Sequence, residues 1–119
     1  MIYVASKTRH AQMWLDFRKD GFPISSTWID EAEVGKTSDW SDLWVRCVKE
    51  AAQSAALVLY AEAGDLMKGA LVEVGAALAM SRPVYAVGAP SNSSWFNHPL
   101  VTICSNIEEA MWLARRHVL

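Results

Sequence analysis

Residues 55–88, AALVLYAEAGDLMKGALVEVGAALAMSRPVYAVG, decide how this chain folds. They open on a continuous apolar run, AALVLYA. A run without polar alternation suits a strand covered on both faces. EAGDLMKG then reads as a loop, residues 70–81 as a helix, and Pro83 leads into a further strand, PVYAVG. Strand, crossover helix and strand make a unit that sets the two strands parallel.

The alternation continues outward. Toward the N-terminus, residues 2–5 (IYVA) form a short strand. Residues 8–20 place Ala11, Trp14 and Leu15 on one helical face, widened by the Met13–Phe17 pair and stopped by Gly21. Residues 24–29 (ISSTWI) read as a second strand. Residues 40–54 carry Leu43, Trp44, Cys47, Val48 and Ala51 on one helical face. Toward the C-terminus, a loop rich in turn formers over 89–99 precedes a strand at 100–104 (LVTIC) and a helix at 106–117, with Asn106 as its cap. The expected fold is one α/β domain over residues 1–119. It is a flavodoxin-like, Rossmann-like three-layer arrangement with a five-stranded, mostly parallel sheet in the order 2-1-3-4-5.

Composition narrows the function. The chain has 119 residues, enough to bury a core without disulfides or a structural metal. A net charge of −2 argues against a general nucleic-acid binder, which would present a basic face. Cys47 and Cys104 are far apart and belong to no ligand motif, so both read as reduced core residues of a cytoplasmic protein. No apolar run is long enough to span a membrane, and MIYVASKTRH lacks the apolar length of a signal peptide.

In such sheets ligands sit beyond the carboxyl ends of the strands. That rim collects Ser6 and Lys7, Trp28 and Asp30, residues 62–68, and residues 91–98. The helix beginning near Gly69 points its N-terminus at the same place. Glu73 lies one turn inside that helix, among Leu71, Val72, Val74 and Ala76. A carboxylate there either offsets the helix dipole or does chemistry. A capping box would need Ser or Thr at position 70, which is Ala. Gly69 suits close approach of backbone or ligand, and Gly75 suits tight packing of helix on sheet.

KGALVEVGAALAMSRPVYAVG, together with IYVAS at residues 2–6, resembles the nucleoside 2-deoxyribosyltransferase family and its nucleotide N-glycosidase relatives. The order of elements agrees over the whole domain, and the specific motifs cover residues 2–6 and 69–88. The resemblance implies that Glu73 is a nucleophile and that Tyr3 hydrogen-bonds it. It implies an acid near base and sugar, matched best by Asp42, with Asp39 as the alternative. It implies phosphate contacts from the loop after the first strand, where this chain offers Ser6, Lys7 and Arg9 but no glycine-rich loop. It further implies a homodimer or higher homo-oligomer, for which an exposed Trp95–Phe96 pair would serve, and it requires neither a metal nor an organic cofactor.

The expected chemistry is cleavage or transfer of the N-glycosidic bond of a (deoxy)nucleoside or its 5'-monophosphate through a glycosyl-enzyme ester on Glu73. Trp28 and Trp40 are candidates to stack the base, with core or lid packing as the other reading. Gly69 would admit the ligand. His98 would touch the ligand or a neighbouring subunit, or simply shape a turn. Glu62 and Asp65 are solvated loop charges or sugar contacts. Two other functions fit the same rim: a nucleotide-sensing module without turnover, and a NAD glycohydrolase of Toll/interleukin-receptor type. A receiver domain does not, because no acidic pair follows the first strand and no Asp ends the third.

Overall fold

A computed structural model describes residues 1–33, 35–88 and 93–118. The chain forms an α/β fold in which a parallel sheet is flanked by helices on both faces. Among the described residues four strands, β1 (Ile2–Ala5), β2 (Ala56–Tyr60), β3 (Val84–Val87) and β4 (Val101–Cys104), lie in the order β1-β2-β3-β4. The helices are α1 (Ala11–Lys19), α2 (Trp40–Gln53), α3 (Gly69–Ala79) and α4 (Ile107–Arg115), with 3-10 turns at Thr8–His10, Thr27–Glu31 and Ser94–Asn97. Among the described residues no helix is long and apolar enough to cross a membrane.

β2 is central, and its Ala56, Leu57, Val58 and Leu59 are fully buried, as the unbroken apolar run requires. Residue direction alternates along the strands and separates the two helical layers. Tyr3 of β1 is level with Leu57 and reaches α3 on one face. Tyr60 of β2 points the other way and meets Trp14 of α1 edge-on, with centroids 6.3 Å apart. Phe22 joins α1 to α4 on that second face, touching both Phe17 and Trp112 at 5.3 Å. Asn106 caps α4 by accepting from the Glu109 amide at 2.8 Å.

The sheet departs from the expected five strands in the order 2-1-3-4-5. Residues 24–29 do not form a strand. Ile24 makes one parallel bridge to Ile2, supported by Ile2 N–H to the Pro23 carbonyl at 2.8 Å and Ser25 N–H to the Ile2 carbonyl at 2.9 Å. There the ladder stops, because side chains take the next backbone groups. Ser26 Oγ accepts from the Val4 amide at 2.7 Å, and Trp28 Nε1 donates to the Val4 carbonyl at 2.8 Å. Hydroxyls that satisfy nearby backbone offer it an alternative to a ladder. The segment turns instead into the 3-10 turn Thr27–Glu31, which brings the Trp28 ring to the rim.

Gly75 is also not where helix-on-sheet packing would need it. It lies on the outer face of α3 with open space around its Cα. Gly69 is the glycine that closes a contact: a Cβ there would stand 2.9 Å from the Trp44 ring, which lies over the first turn of α3.

Candidate active site

The carboxyl ends of β1 and β2, the first turns of α2 and α3, and Trp28 enclose a cavity of about 230 Å3. Glu73 lines its floor. The side chain is buried, with 7% of the residue exposed. It hangs from α3 over β1, where its carboxylate meets the only polar tip on that fully buried strand: Tyr3 Oη donates to Glu73 Oε1 at 2.6 Å. Among the described residues Tyr3 is the one oxygen or nitrogen donor to this carboxylate, and the Cys47 thiol faces it as a second, weaker partner. The Cys47 thiol, buried on α2, completes the pocket around this carboxylate.

Burial dominates the electrostatics. It pushes the Glu73 carboxyl up to about 7, against smaller opposing effects of the Tyr3 hydroxyl and the Cys47 thiol, with Glu50 adding to the rise. Burial likewise raises the Tyr3 hydroxyl far above its ordinary value, so it stays a neutral donor. The Cys47 thiol is pushed up to about 11, again chiefly by burial, and stays protonated.

The rest of the cavity has two chemical walls. The loops after β1 and β2 supply Ser6, Lys7, Thr8 and Lys68. α3 begins beside them with no side-chain cap on its first turn. α2 and the 27–31 turn supply Trp28, Trp40, Leu43 and Trp44. Trp28 is a fixed floor, 7% exposed and hydrogen-bonded through Nε1; Trp40 at the mouth is 65% exposed.

Of the residues expected here, Glu73, Tyr3, Ser6, Lys7, Trp28, Trp40 and Gly69 do come together. Ser6 is partly committed: its Oγ accepts from Trp14 Nε1 at 2.8 Å and donates to the Lys7 carbonyl at 2.9 Å. Asp42 does not reach the cavity. Its carboxylate accepts from Arg46 Nε at 2.9 Å, one turn along α2. Arg46 in turn donates to Thr27 Oγ1 and Glu31 Oε2, so this acid helps fasten the Trp28 turn to α2. The alternative, Asp39, is the N-cap of α2, accepting from the Asp42 amide at 3.1 Å.

Arg9 is turned away as well. It makes two hydrogen bonds to Asp65 Oδ1, at 3.0 and 2.8 Å, and pairs with Glu62 at 3.4 Å. Glu62 also accepts from the Tyr60 hydroxyl. Both acids are therefore structural partners of the β2–α3 loop. His98 shapes a turn, with Nδ1 accepting from the Leu100 amide at 3.0 Å. Ser91 lies outside the described residues. Trp95 and Phe96 are half-buried and pack against the core and each other, which removes them as an exposed contact.

Leu66, Met67 and Lys68 belong to the loop expected at the rim and do line the cavity, whereas Trp44 and Cys47 join it from a helical face read only as core. Trp40, Leu43, Trp44 and Cys47 stand at spacings of three, four and seven residues, a single helical face starting at the rim. That spacing pointed to the cavity as much as to the core. Comparison of the chain with protein-family models, curated proteins and solved structures finds no match.

Proposed function

We propose that this protein cleaves or transfers the N-glycosidic bond of a (deoxy)nucleoside or its 5'-monophosphate, with Glu73 forming a covalent glycosyl ester. The supporting observation is the Tyr3 Oη–Glu73 Oε1 hydrogen bond at 2.6 Å on the floor of an aromatic cavity. An oxygen held by Tyr3 leaves the second oxygen to meet the anomeric carbon as oxocarbenium character develops. A carboxylate deprived of water is a stronger electrostatic partner for that cation. Lys7, Lys68 and the uncapped start of α3 favour an anion at one wall. The tryptophans offer faces for a ring at the other. Water or a second base then resolves the ester.

Exposed Trp44 and Val45 on α2 and Leu71 and Val72 on α3 support a homo-oligomer formed through this helix pair. Light scattering on a Val45→Glu/Val72→Glu variant tests it: the expected result is a monomer where the parent is larger.

The test of activity is base release from a panel of deoxynucleosides and deoxynucleoside monophosphates, with and without a second free base, beside Glu73→Gln. Release or exchange that disappears in the variant is expected. Saturable binding without release, unchanged in Glu73→Gln, would make the cavity a sensing site.

A further inference from the structure

Cleaving a neutral N-glycoside leaves charge on the departing base, and an acid that protonates it typically contributes about 10²- to 10⁴-fold. Among the described residues lining the cavity, Glu73 is the only carboxylate. The other acids near the rim are committed elsewhere. Asp42 and Glu31 are held by Arg46, and Asp65 by Arg9 and His10. Glu62 is held by Tyr60 and Arg9, and Glu50 by Thr27. The Tyr3 hydroxyl is used on Glu73 itself. What the wall formed by α2 and the 27–31 turn presents instead is three indoles, Trp28, Trp40 and Trp44. Tryptophan faces attract cations more strongly than any other aromatic side chain.

Resting on the N-glycosidic reading above, we infer that the leaving base is a heterocycle already carrying a positive charge at the ring that is linked to the sugar: a pyridinium or N-alkylated purine nucleotide. Such a base needs no acid. As Glu73 Oε2 bonds to the anomeric carbon, the C1'–N bond breaks and its electron pair stays on the ring nitrogen, cancelling the ring's charge. The base departs neutral. Water then attacks the anomeric carbon of the ester, the sugar leaves with a free 1-hydroxyl, Glu73 is regenerated as carboxylate, and one proton passes to solvent. Lys7 and Lys68, on the loop wall, suit the 5'-phosphate of the same molecule.

The test compares base release from nicotinamide mononucleotide and 7-methylguanosine 5'-monophosphate with that from guanosine and uridine 5'-monophosphates. The purine pair is run in both ribo and 2'-deoxyribo forms. Spontaneous loss measured without protein is subtracted, and Glu73→Gln is run alongside. The expected result is a kcat/KM for the cationic nucleotides at least about 100-fold above the neutral ones, lost in Glu73→Gln. Trp40→Ala should raise KM for 7-methylguanosine 5'-monophosphate several-fold more than it raises the inhibition constant of guanosine 5'-monophosphate. Equal kcat/KM for charged and neutral bases would overturn the inference and leave the N-glycosidase reading standing. No release from any member of this panel or of the deoxynucleoside and deoxynucleotide panel above would overturn both.

Discussion

Tyr3 Oη donates to Glu73 Oε1 at 2.6 Å, joining β1 to α3 across seventy positions of sequence at the floor of the cavity. The contact fixes which carboxylate oxygen Tyr3 holds. It also opposes the effect of burial on Glu73, since a hydrogen bond to the charged form favours it. Tyr3→Phe keeps the ring and removes the donor. Glu73 should then titrate higher still. A hydrogen bond to a charged group is worth about 1.5–3 kcal/mol, so kcat/KM at neutral pH should fall by about 10- to 100-fold. The pH–rate profile separates this from simple misfolding: its acidic limb should move to higher pH, whereas lost packing alone would leave the limb in place.

Glu73 links stability to pH. Its carboxyl sits at about 7 in the fold against an ordinary 4.5. Between those values the folded protein binds more protons than the unfolded chain. Stability is therefore greatest below pH 4.5 as far as this group is concerned, and falls as pH rises through about 7. The loss is on the order of 3 kcal/mol. Glu73→Gln has the same shape and no charge. It should match the parent in denaturant midpoint near pH 5 and exceed it at pH 8. A gap that does not widen with pH would mean that Glu73 titrates normally. In the proposed reaction the attacking form is the carboxylate, so kcat/KM should run the opposite way and rise through about pH 7.

These two residues were legible in the sequence for different reasons. Glu73 stood out as a lone charge in an apolar helix turn, and Tyr3 entered through the family resemblance. β2 was legible because a short unbroken apolar run rich in β-formers, bounded by polar loops, suits a strand covered on both faces. Residues 24–29 misled because ISSTWI has strand composition, while the outcome depended on where two side chains donate or accept. Ser26 and Trp28 take the Val4 amide and carbonyl, and nothing in local propensity reports that. Asp42 misled for a related reason: its partner Arg46 lies one turn on, and a surface pair one turn apart is satisfied before any ligand arrives.

Asp65 fastens the loop that forms one lip of the cavity. Its carboxylate accepts from the Glu62 amide at 2.8 Å, meets the His10 ring at 2.9 Å and receives Arg9, and these contacts, the Glu62 amide foremost, hold it well below the usual carboxylate range. The next three residues, Leu66, Met67 and Lys68, line the cavity. Asp65→Ala should speed amide hydrogen exchange over residues 62–68 while leaving β2 protected, and should raise KM about tenfold. The clamp contributes above the ordinary value of 3.8 and is lost as pH falls through the lower folded value, so in the parent the same loop should loosen only in strong acid. Uniform exchange in parent and variant at neutral pH would show that the loop is held by something else.

Gly88 ties the rim ends of β2 and β3 together. It follows β3 with φ +73°, and a Cβ there would lie 1.9 Å from the Ala61 carbonyl oxygen. Ala61 itself donates to the Val87 carbonyl at 2.9 Å, so neither backbone can retreat without breaking the parallel pair of β2, whose end borders the cavity, with β3. Gly64 supplies the comparison. It too has positive φ, at +87°, but a Cβ there meets nothing within 4 Å. Gly64→Ala should therefore lose only the conformational preference, about 1–2 kcal/mol. Gly88→Ala adds a backbone collision and should lose roughly 3 kcal/mol or more, or fail to accumulate as folded protein. Urea unfolding of the two variants side by side reads the difference. Equal midpoints would mean that the β2 and β3 ends are free to part, and that the carboxyl edge of the sheet is looser than a preorganised site requires.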